Sequence, residues 1–268
     1  MSGEYIFAVK SIGLSKIGGR KPCTLEAAAI HNKRKNFNEL KALGRIDSER
    51  LNLNYSIAGG NSVQDIVNLA IKLMADVGTS PENMRRDFCQ AIEIVFSLPA
   101  NTTVDLKRFF AECVDWCGTQ FGAANVLSAD VHMDESAPHC HVLLAPIHED
   151  RWVGGALIDR ASTRTLRESF KRCVAESYGL QMTDKLTGAR KACSTAMVLQ
   201  AIETNYKQLI AMPIWQPLRQ CLERNPAPFA ASLGLNLPER CVVKRKTMAE
   251  IFTSPGKGPK REPSAGAL

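Results

Sequence analysis

Two apolar segments joined by a short polar turn stand in the middle of the sequence: Val126-Leu-Ser-Ala-Asp-Val-His132 and His139-Cys-His-Val-Leu-Leu-Ala-Pro146. Each is rich in aliphatic residues and has the length of one buried strand. Strands that are adjacent in sequence and joined by a short connection pair antiparallel. The two segments therefore predict a β-hairpin, and the rest of the chain has to supply its sheet partners and its cover.

The flanking segments supply those elements. Further strands are predicted at Tyr5–Val9, Leu51–Ile57 and Ala91–Phe96, and helices at Thr24–Arg34, Ser62–Val77, Thr103–Thr119 and Thr163–Tyr178. We therefore expect an α+β domain over residues 1–182, a two-layer structure in which an antiparallel sheet is backed by helices. Residues 183–252 are expected to form a small helical extension, and residues 253–268 a flexible basic tail.

Composition limits the class of protein. The chain has 268 residues, of which 45% are hydrophobic and 23% charged, as in an ordinary globular protein. No apolar run approaches the ~18 residues of a spanning helix, so membrane insertion is not expected. Nine cysteines without a CxxC pair indicate reduced thiols and a cytoplasmic location. The net charge of +7, concentrated after residue 240, favours an anionic partner.

Histidines are clustered in the predicted hairpin, which contains three of the five in the chain: His132, His139 and His141. Side chains repeat every two residues along a strand, so His139 and His141 share a face and a hairpin brings His132 beside them. Three neutral imidazoles predict a divalent-metal site with open positions. Such a site favours Mn²⁺, with Mg²⁺ as the less suited ion. The alternative is a solvent-facing polar strand without a metal.

A second motif lies on the first predicted helix, where His31-Asn-Lys-Arg34 places Arg34 three residues after His31. Together with the pattern from His132 to His141, this motif resembles the plasmid mobilisation relaxases of the Pre/Mob type, the MobV family of the HUH endonucleases. The Asn54-Tyr55 pair resembles the second motif of that family, although Ser56 stands where the family commonly has an acidic residue.

The resemblance implies a metal-dependent DNA strand transferase of the HUH relaxase fold. Such an enzyme nicks one strand at a plasmid transfer origin, stays covalently attached to the 5′ end and later rejoins the strand. The metal would be held by His132, His139 and His141, and the nucleophile would be His31. Tyr5 and Tyr55 are the competing nucleophiles.

Two acidic residues on the hairpin turn, Glu135 and Asp134, are candidates for accepting the proton released by the attack. The guanidinium of Arg34 would disfavour the protonated form of His31 and so keep the nucleophile neutral.

Plasmid DNA, single-stranded or hairpin, is the expected partner, with a conjugative coupling protein as a second. Basic residues could track phosphates and Trp152 could stack on a base. Together with the motif residues, the DNA-binding candidates are Lys16, Arg20, Lys21, Asn32, Lys33, Lys35, Asn54, Tyr55 and Trp152.

Three other functions fit parts of the pattern. A rolling-circle replication initiator would use the same metal cluster with a tyrosine such as Tyr178 as nucleophile. A metal-dependent hydrolase of small molecules would need only the three histidines. A catalytically inactive DNA-binding repressor would need no metal.

Overall fold

The computed structural model describes residues 3–13, 23–80, 88–182, 186 and 188–238. The chain divides into two compact units, residues 1–183 and 184–268. Lys16, Arg20 and Lys21 and the expected basic tail lie outside the described residues.

The first unit is built around a six-stranded sheet, whose strands follow the spatial order β2-β4-β5-β3-β1-β8. Its strands are β1 (Gly3–Gly13), β2 (Tyr55–Gly59), β3 (Cys89–Ser97), β4 (Val126–His132), β5 (His139–Leu144) and β8 (Leu180–Met182). Two short strands, β6 (Ile147–His148) and β7 (Arg151–Trp152), form a separate hairpin. The predicted hairpin of β4 and β5 is therefore present near the middle of the sheet, with neighbours on both sides.

Helices of the first unit are α1 (Leu25–Asn32), α2 (Phe37–Ala42), α3 (Val63–Asp76), α4 (Leu106–Phe121) and α5 (Arg160–Cys173). Their starts follow from side-chain caps. Ser62 and Asp65 form a capping box that begins α3, as the sequence predicts. Asp105 accepts from two backbone N–H groups and begins α4 later than predicted, whereas Asp159 caps α5 and begins it earlier.

Alternation along the strands gives the sheet two apolar faces. On one face, Phe96 and its neighbours pack against Phe110 of α4 and Phe170 of α5. On the other, Leu127 and Leu143 pack with residues of α1 and α3. Cys140 faces the α4 side and is fully buried there, as its position in the strand predicts. The histidines next to it point to the face that α1 and α3 cover only in part.

The α+β architecture, a sheet backed by helices, is confirmed. Two features differ from the expectation. Helices pack on both faces, so the unit has three layers rather than two. The sheet is also not wholly antiparallel, because β8 pairs in parallel with β1. The predicted helix to Tyr178 ends at Cys173, and Gly179 in the left-handed conformation turns the chain into β8.

The second unit contains four described helices, α6 (Gly188–Asn205), α7 (Lys207–Ile210), α8 (Trp215–Arg224) and α9 (Ala227–Ser232). They enclose a small core of their own around Val198, Trp215 and Leu222. Within the described part of the chain, no helix combines the length and the apolar character needed to cross a membrane.

Candidate metal centre

Three buried histidines meet where β4 ends and β5 begins. The antiparallel register pairs His132 with His139 and Asp130 with His141. The ring centroids of His132, His139 and His141 form a nearly equilateral triangle with sides of 5.1, 4.9 and 4.9 Å. The structure therefore brings together the three side chains that the sequence selected.

Hydrogen bonds to oxygen atoms orient each ring and decide which nitrogen carries the proton. His132 Nε2 lies 2.8 Å from the carbonyl oxygen of Asn32, and His139 Nδ1 lies 2.9 Å from that of Ala137. His141 Nδ1 lies 2.8 Å from a carboxylate oxygen of Glu93. Because oxygens of this kind only accept, these nitrogens carry protons. In the neutral form of each ring, the opposite nitrogen keeps a lone pair.

Two of the three rings present a pair of nitrogens that fits a divalent metal. His132 Nδ1 and His139 Nε2 face each other at 3.3 Å, and each of these two nitrogens keeps its lone pair. Two lone pairs at this separation repel unless a cation lies between them, and two nitrogens each bound at ~2.1 Å from one ion would be about this far apart. Burial, followed by the charges of His141 and Arg34, also lowers the pKa of His132, which keeps its ring neutral. Neutral imidazoles are the form that binds a metal.

Glu93 is a member of the site that the sequence pattern did not reveal. It lies on β3 next to His141 and is 1% exposed. Burial alone would raise the pKa of its carboxyl, but the hydrogen bond and charge of His141, together with Lys10, outweigh burial and hold the pKa at about 2. Its carboxylate thus orients the ring of His141, the usual arrangement behind metal-binding histidines. The available signal was a charged residue inside the otherwise apolar strand Ala91–Phe96.

His31 lies on α1 and faces the same cluster. Its ring centroid is 5.8 Å from that of His132 and 5.4 Å from that of His141. Potential ligand atoms of these three residues lie within 4.8 Å of one another, and the same holds for His132, Glu135 and His139. Burial, then the charges of His141 and Arg34, lower the pKa of His31 to about 4. Its imidazole is therefore neutral and has a free lone pair beside the cluster.

Arg34 does not share a helix face with His31, because α1 ends at Asn32 and Arg34 has a φ of +53°. Its N–H bonds to the carbonyl of His31, and the N–H of Lys35 bonds to that of Ile30. These two bonds form a Schellman motif, in which Arg34 occupies the left-handed position usually filled by glycine. The prediction of one continuous helix to Arg34 is wrong for this reason, although Arg34 still reaches the site.

The side chain of Arg34 holds the hairpin turn. Its Nε and Nη2 donate to the two carboxylate oxygens of Asp134 at 2.9 and 2.7 Å, and Nη2 also donates to Glu135 at 2.7 Å. Asp134 is fully buried, while 29% of the Glu135 side chain is exposed. Arg34 therefore ties the end of the helix that carries His31 to the turn between the metal-site strands.

Lys33, a candidate for tracking phosphates, borders the cavity beside His132, and its ammonium is engaged by groups of the protein. Its side chain is 7% exposed and its ammonium donates to Asp130 at 2.7 Å and to Ser56 at 3.1 Å. Ser56 lies opposite Asp130 in the β2–β4 register and donates to the same carboxylate oxygen. The ammonium of Lys33 is thus committed to a buried network beside His132.

The remaining DNA-binding candidates do not all lie beside the histidine cluster. Asn32, Lys35 and Asn54 line a cavity of about 340 Å³ beside His132, and Asn54 also accepts from the N–H of Met133. Trp152 does not join this group, since its ring stacks on Phe88 and its indole N–H donates to the carbonyl of Cys89.

Tyrosines of the first unit lie in the opposite layer from the histidines. Tyr5 and Tyr178 pack in the core beside α4 and α5. Tyr55 pairs with Val131 and packs against the same core, and burial raises the pKa of its hydroxyl to about 12. Tyr5 is therefore separated from the cluster by the sheet. Tyr55 packs against the same core, but it lies on the edge strand β2 and also borders the cavity beside His132.

Comparison with known proteins identifies relatives of this chain. The family model described as "plasmid recombination enzyme" (Mob_Pre) matches residues 16–187. A plasmid recombination enzyme type 3 of Staphylococcus aureus is 30% identical over 144 residues, which are 51% of this chain and 35% of that protein. A plasmid recombination enzyme of a Bacillus species is 26% identical over 184 residues, 65% of this chain and 43% of that protein. The chain thus spans less than half the length of these curated relatives.

Solved structures are similar as well. The Mn-bound MobM relaxase domain, in complex with origin-of-transfer DNA of plasmid pMV158, superimposes with a TM-score of 0.56 and 19% identity. The match covers 68% of this chain and 90% of that domain. At this identity the likeness shows a common fold. The family match extends over most of the first unit, from before α1 to beyond β8, and includes every residue of the histidine cluster. Because this match covers more than half of the sequence, the chain belongs to the plasmid recombination enzyme (Mob_Pre) family.

Proposed function

We propose that this protein is a relaxase, which nicks one strand of plasmid DNA at an origin of transfer, remains covalently bound to the 5′ phosphate and later rejoins the strand. The observation that carries the proposal is the position of His31. A neutral imidazole lies beside a cluster of three histidines suited to a metal. Tyr5 and Tyr178 of the same unit pack in the opposite layer, and Tyr55, which borders the cavity beside His132, packs its ring against that layer too.

His132 Nδ1, His139 Nε2 and His141 Nε2 would hold the metal, which when bound supplies a positive charge that polarises the scissile phosphate. Mn²⁺ is the ion we assign, because an all-imidazole donor set suits it better than Mg²⁺. The MobM domain of the same fold is itself Mn-bound. Glu93 would keep His141 oriented.

His31 would carry the covalent step. A nitrogen lone pair of its imidazole attacks phosphorus, and the bond from phosphorus to the 3′ oxygen breaks. The electron pair leaves with that oxygen, which takes a proton and becomes a 3′ hydroxyl. The imidazole gives up its own N–H proton, and the product is a phosphoramidate. Rejoining is the reverse, with the 3′ hydroxyl attacking the phosphoramidate.

Glu135 is the better acceptor for the proton of His31, and Asp134 the poorer one. Both oxygens of Asp134 are engaged by Arg34, and the side chain has no exposed surface. Glu135 receives one hydrogen bond from Arg34, is partly exposed and lies close enough to affect the pKa of His31. Arg34 then acts by holding Glu135 in place.

The substrate would be plasmid DNA in the cytoplasm, where single-stranded or hairpin segments of the origin can enter the cavity beside His132. Asn32, Lys35 and Asn54 line this cavity and are the residues we assign to DNA contacts there. Reduced thiols agree with this location, since the cysteines within the described residues form no disulfide.

Incubation with supercoiled plasmid tests the proposal. The plasmid carries the noncoding region next to the gene, the buffer contains Mn²⁺, and the product is assayed for relaxed circles with protein attached. Wild-type protein should give protein-linked relaxed circles, and His31→Ala should give none while still binding Mn²⁺. Absence of any covalent adduct with the wild-type protein, or an adduct that persists in His31→Ala, would refute this mechanism.

A further inference from the structure

A stripe of positive charge runs along the exposed side of α5. Arg160, Arg164, Arg167 and Lys171 follow one another at intervals of four, three and four residues, which places all four on one face of the helix. All four are exposed. None of them belongs to the histidine site or to the sequence motifs that led to it.

This helix differs in charge from the others. It contains five basic residues and one acidic residue, a net charge of +4 within fourteen residues. No other described helix of ten or more residues exceeds +1. Within the described part of the chain, Arg160, Arg164 and Arg167 make no side-chain ion pair, and Lys171 reaches only Glu176, at 4.0 Å on the surface.

The arrangement does not favour the helix itself. Like charges three and four residues apart repel. Among the four, the helix dipole disfavours Arg160 in the first turn and favours only Lys171, which lies in the last turn. Helix stability therefore does not explain the stripe, whereas an anionic partner along the helix would relieve both effects.

The geometry points to the phosphate backbone of double-stranded DNA. Eleven residues separate Arg160 from Lys171, so the stripe is ~17 Å long, and the same length of one B-DNA strand carries about five phosphates. Single strands are bound largely by stacking on aromatic side chains. The one aromatic residue of α5, Phe170, is buried against Phe96. The apolar side of the helix is likewise used by the core, which leaves none of it for a membrane surface.

The position of α5 fits a contact away from the nick. Its residue Phe170 packs on Tyr5 and Phe7, in the layer opposite the histidines. We propose that the α5 stripe, defined as Arg160, Arg164, Arg167 and Lys171, binds the duplex or hairpin stem that flanks the cleaved strand. The inference rests on the proposed function, because it names a second contact of the same DNA. Recognition through phosphates alone would be independent of base sequence.

Salt-dependent binding tests the inference. The stripe variant has all four stripe residues changed to Gln, which keeps helix propensity. The control variant has four other exposed cations changed to Gln: Lys72, Lys207, Arg219 and Arg224. Each of the two variants loses four positive charges. Affinity for a random-sequence duplex is measured by fluorescence anisotropy over a range of salt. Loss of four phosphate contacts should reduce the slope of log K against log salt by about 3.6 and weaken binding at least about tenfold.

The control variant should change the slope of log K against log salt by much less than the stripe variant does. Equal effects of the two variants, or no effect of the stripe variant, would overturn the inference. Loss of affinity for polyglutamate without loss for DNA would also overturn it, since the stripe would then serve an acidic protein. Nicking of a short single-stranded oligonucleotide should be unchanged in the stripe variant. A wild-type protein that binds duplex DNA through the stripe but never nicks would contradict the proposed function, and only the duplex contact of the stripe would remain.

Discussion

Arg34 and Asp134, one hundred residues apart in the sequence, form a buried two-bond ion pair: Nε and Nη2 of the guanidinium donate to separate carboxylate oxygens at 2.9 and 2.7 Å. Two parallel hydrogen bonds between a guanidinium and a carboxylate fix the relative orientation of the two side chains as well as their distance. The pair joins the end of α1 to the β4–β5 turn, so it sets where His31 stands relative to the three histidines. Its removal should affect both folding and the site.

Replacement of Arg34 tests this role. Arg34→Ala leaves the buried carboxylate of Asp134 without its bidentate cationic partner, and we expect the free energy of unfolding to fall by about 3–5 kcal/mol in urea titration. Because Arg34 has a φ of +53°, Arg34→Gly should be more stable than Arg34→Ala by roughly 1 kcal/mol. A fall of less than about 1 kcal/mol in Arg34→Ala would place the pair among weak surface contacts.

Glu93 should tune the metal site through His141. Glu93→Gln keeps an oxygen that can accept from His141 Nδ1 but removes the charge, so Mn²⁺ affinity measured by calorimetry should fall about 10- to 100-fold. Glu112→Gln, a partly exposed change on α4 in the opposite layer, is the control. Equal Mn²⁺ affinity in Glu93→Gln and the control would show that Glu93 has no influence on the metal.

Replacement of the proposed metal ligands should separate nicking from DNA binding. His139→Ala or His141→Ala leaves too few imidazoles for an open site, so Mn²⁺-dependent nicking should be lost. Binding of duplex DNA should change little, since that affinity comes from phosphate contacts elsewhere. His148→Ala, on the exposed β6–β7 hairpin, should nick normally. Full nicking by His139→Ala at low Mn²⁺ would contradict the ligand assignment.

Ion preference gives an independent check on the donor set. Imidazole nitrogens suit Mn²⁺, whereas Mg²⁺ prefers oxygen ligands and retains its waters. Titration of nicking against each ion should therefore reach half-maximal rate at a lower concentration of Mn²⁺. The reverse order would argue against a site built from three histidines.

The chemistry of the covalent adduct should identify the nucleophile. A phosphoramidate hydrolyses in mild acid, because protonation makes its nitrogen a good leaving group, whereas a phosphotyrosine survives. The trapped DNA complex should therefore be labile to acid and stable to alkali. Tyr55→Phe and Tyr5→Phe should each still form it. An acid-stable complex, or peptide mapping to a tyrosine, would rule out His31 and leave the metal site unaffected.

Local patterns were sufficient for much of the fold. The hairpin of β4 and β5 followed from two apolar segments and their short turn, and the start of α3 followed from Ser62 and Asp65. The bounds of helices and strands were harder to predict where the chain changes conformation within a few residues. The sequence predicts one strand over Leu51–Ile57, but a 3-10 helix occupies Ser48–Leu53 and the strand begins at Tyr55. Strand β8 has three residues, too few for a periodic pattern, and depends on its parallel pairing with β1.

The sequence by itself determined that His132, His139 and His141 meet, because alternation along two adjacent strands of a hairpin is a local property with a period of two. Only the tertiary structure decided what surrounds them. Glu93 reaches His141 across forty-eight residues of chain, because β3 pairs with β5. Lys33 is bound by Asp130 rather than free for DNA, because α1 ends against β4. Such contacts depend on which strands become neighbours and on where a helix stops, and both are set by packing of the whole unit rather than by residue spacing.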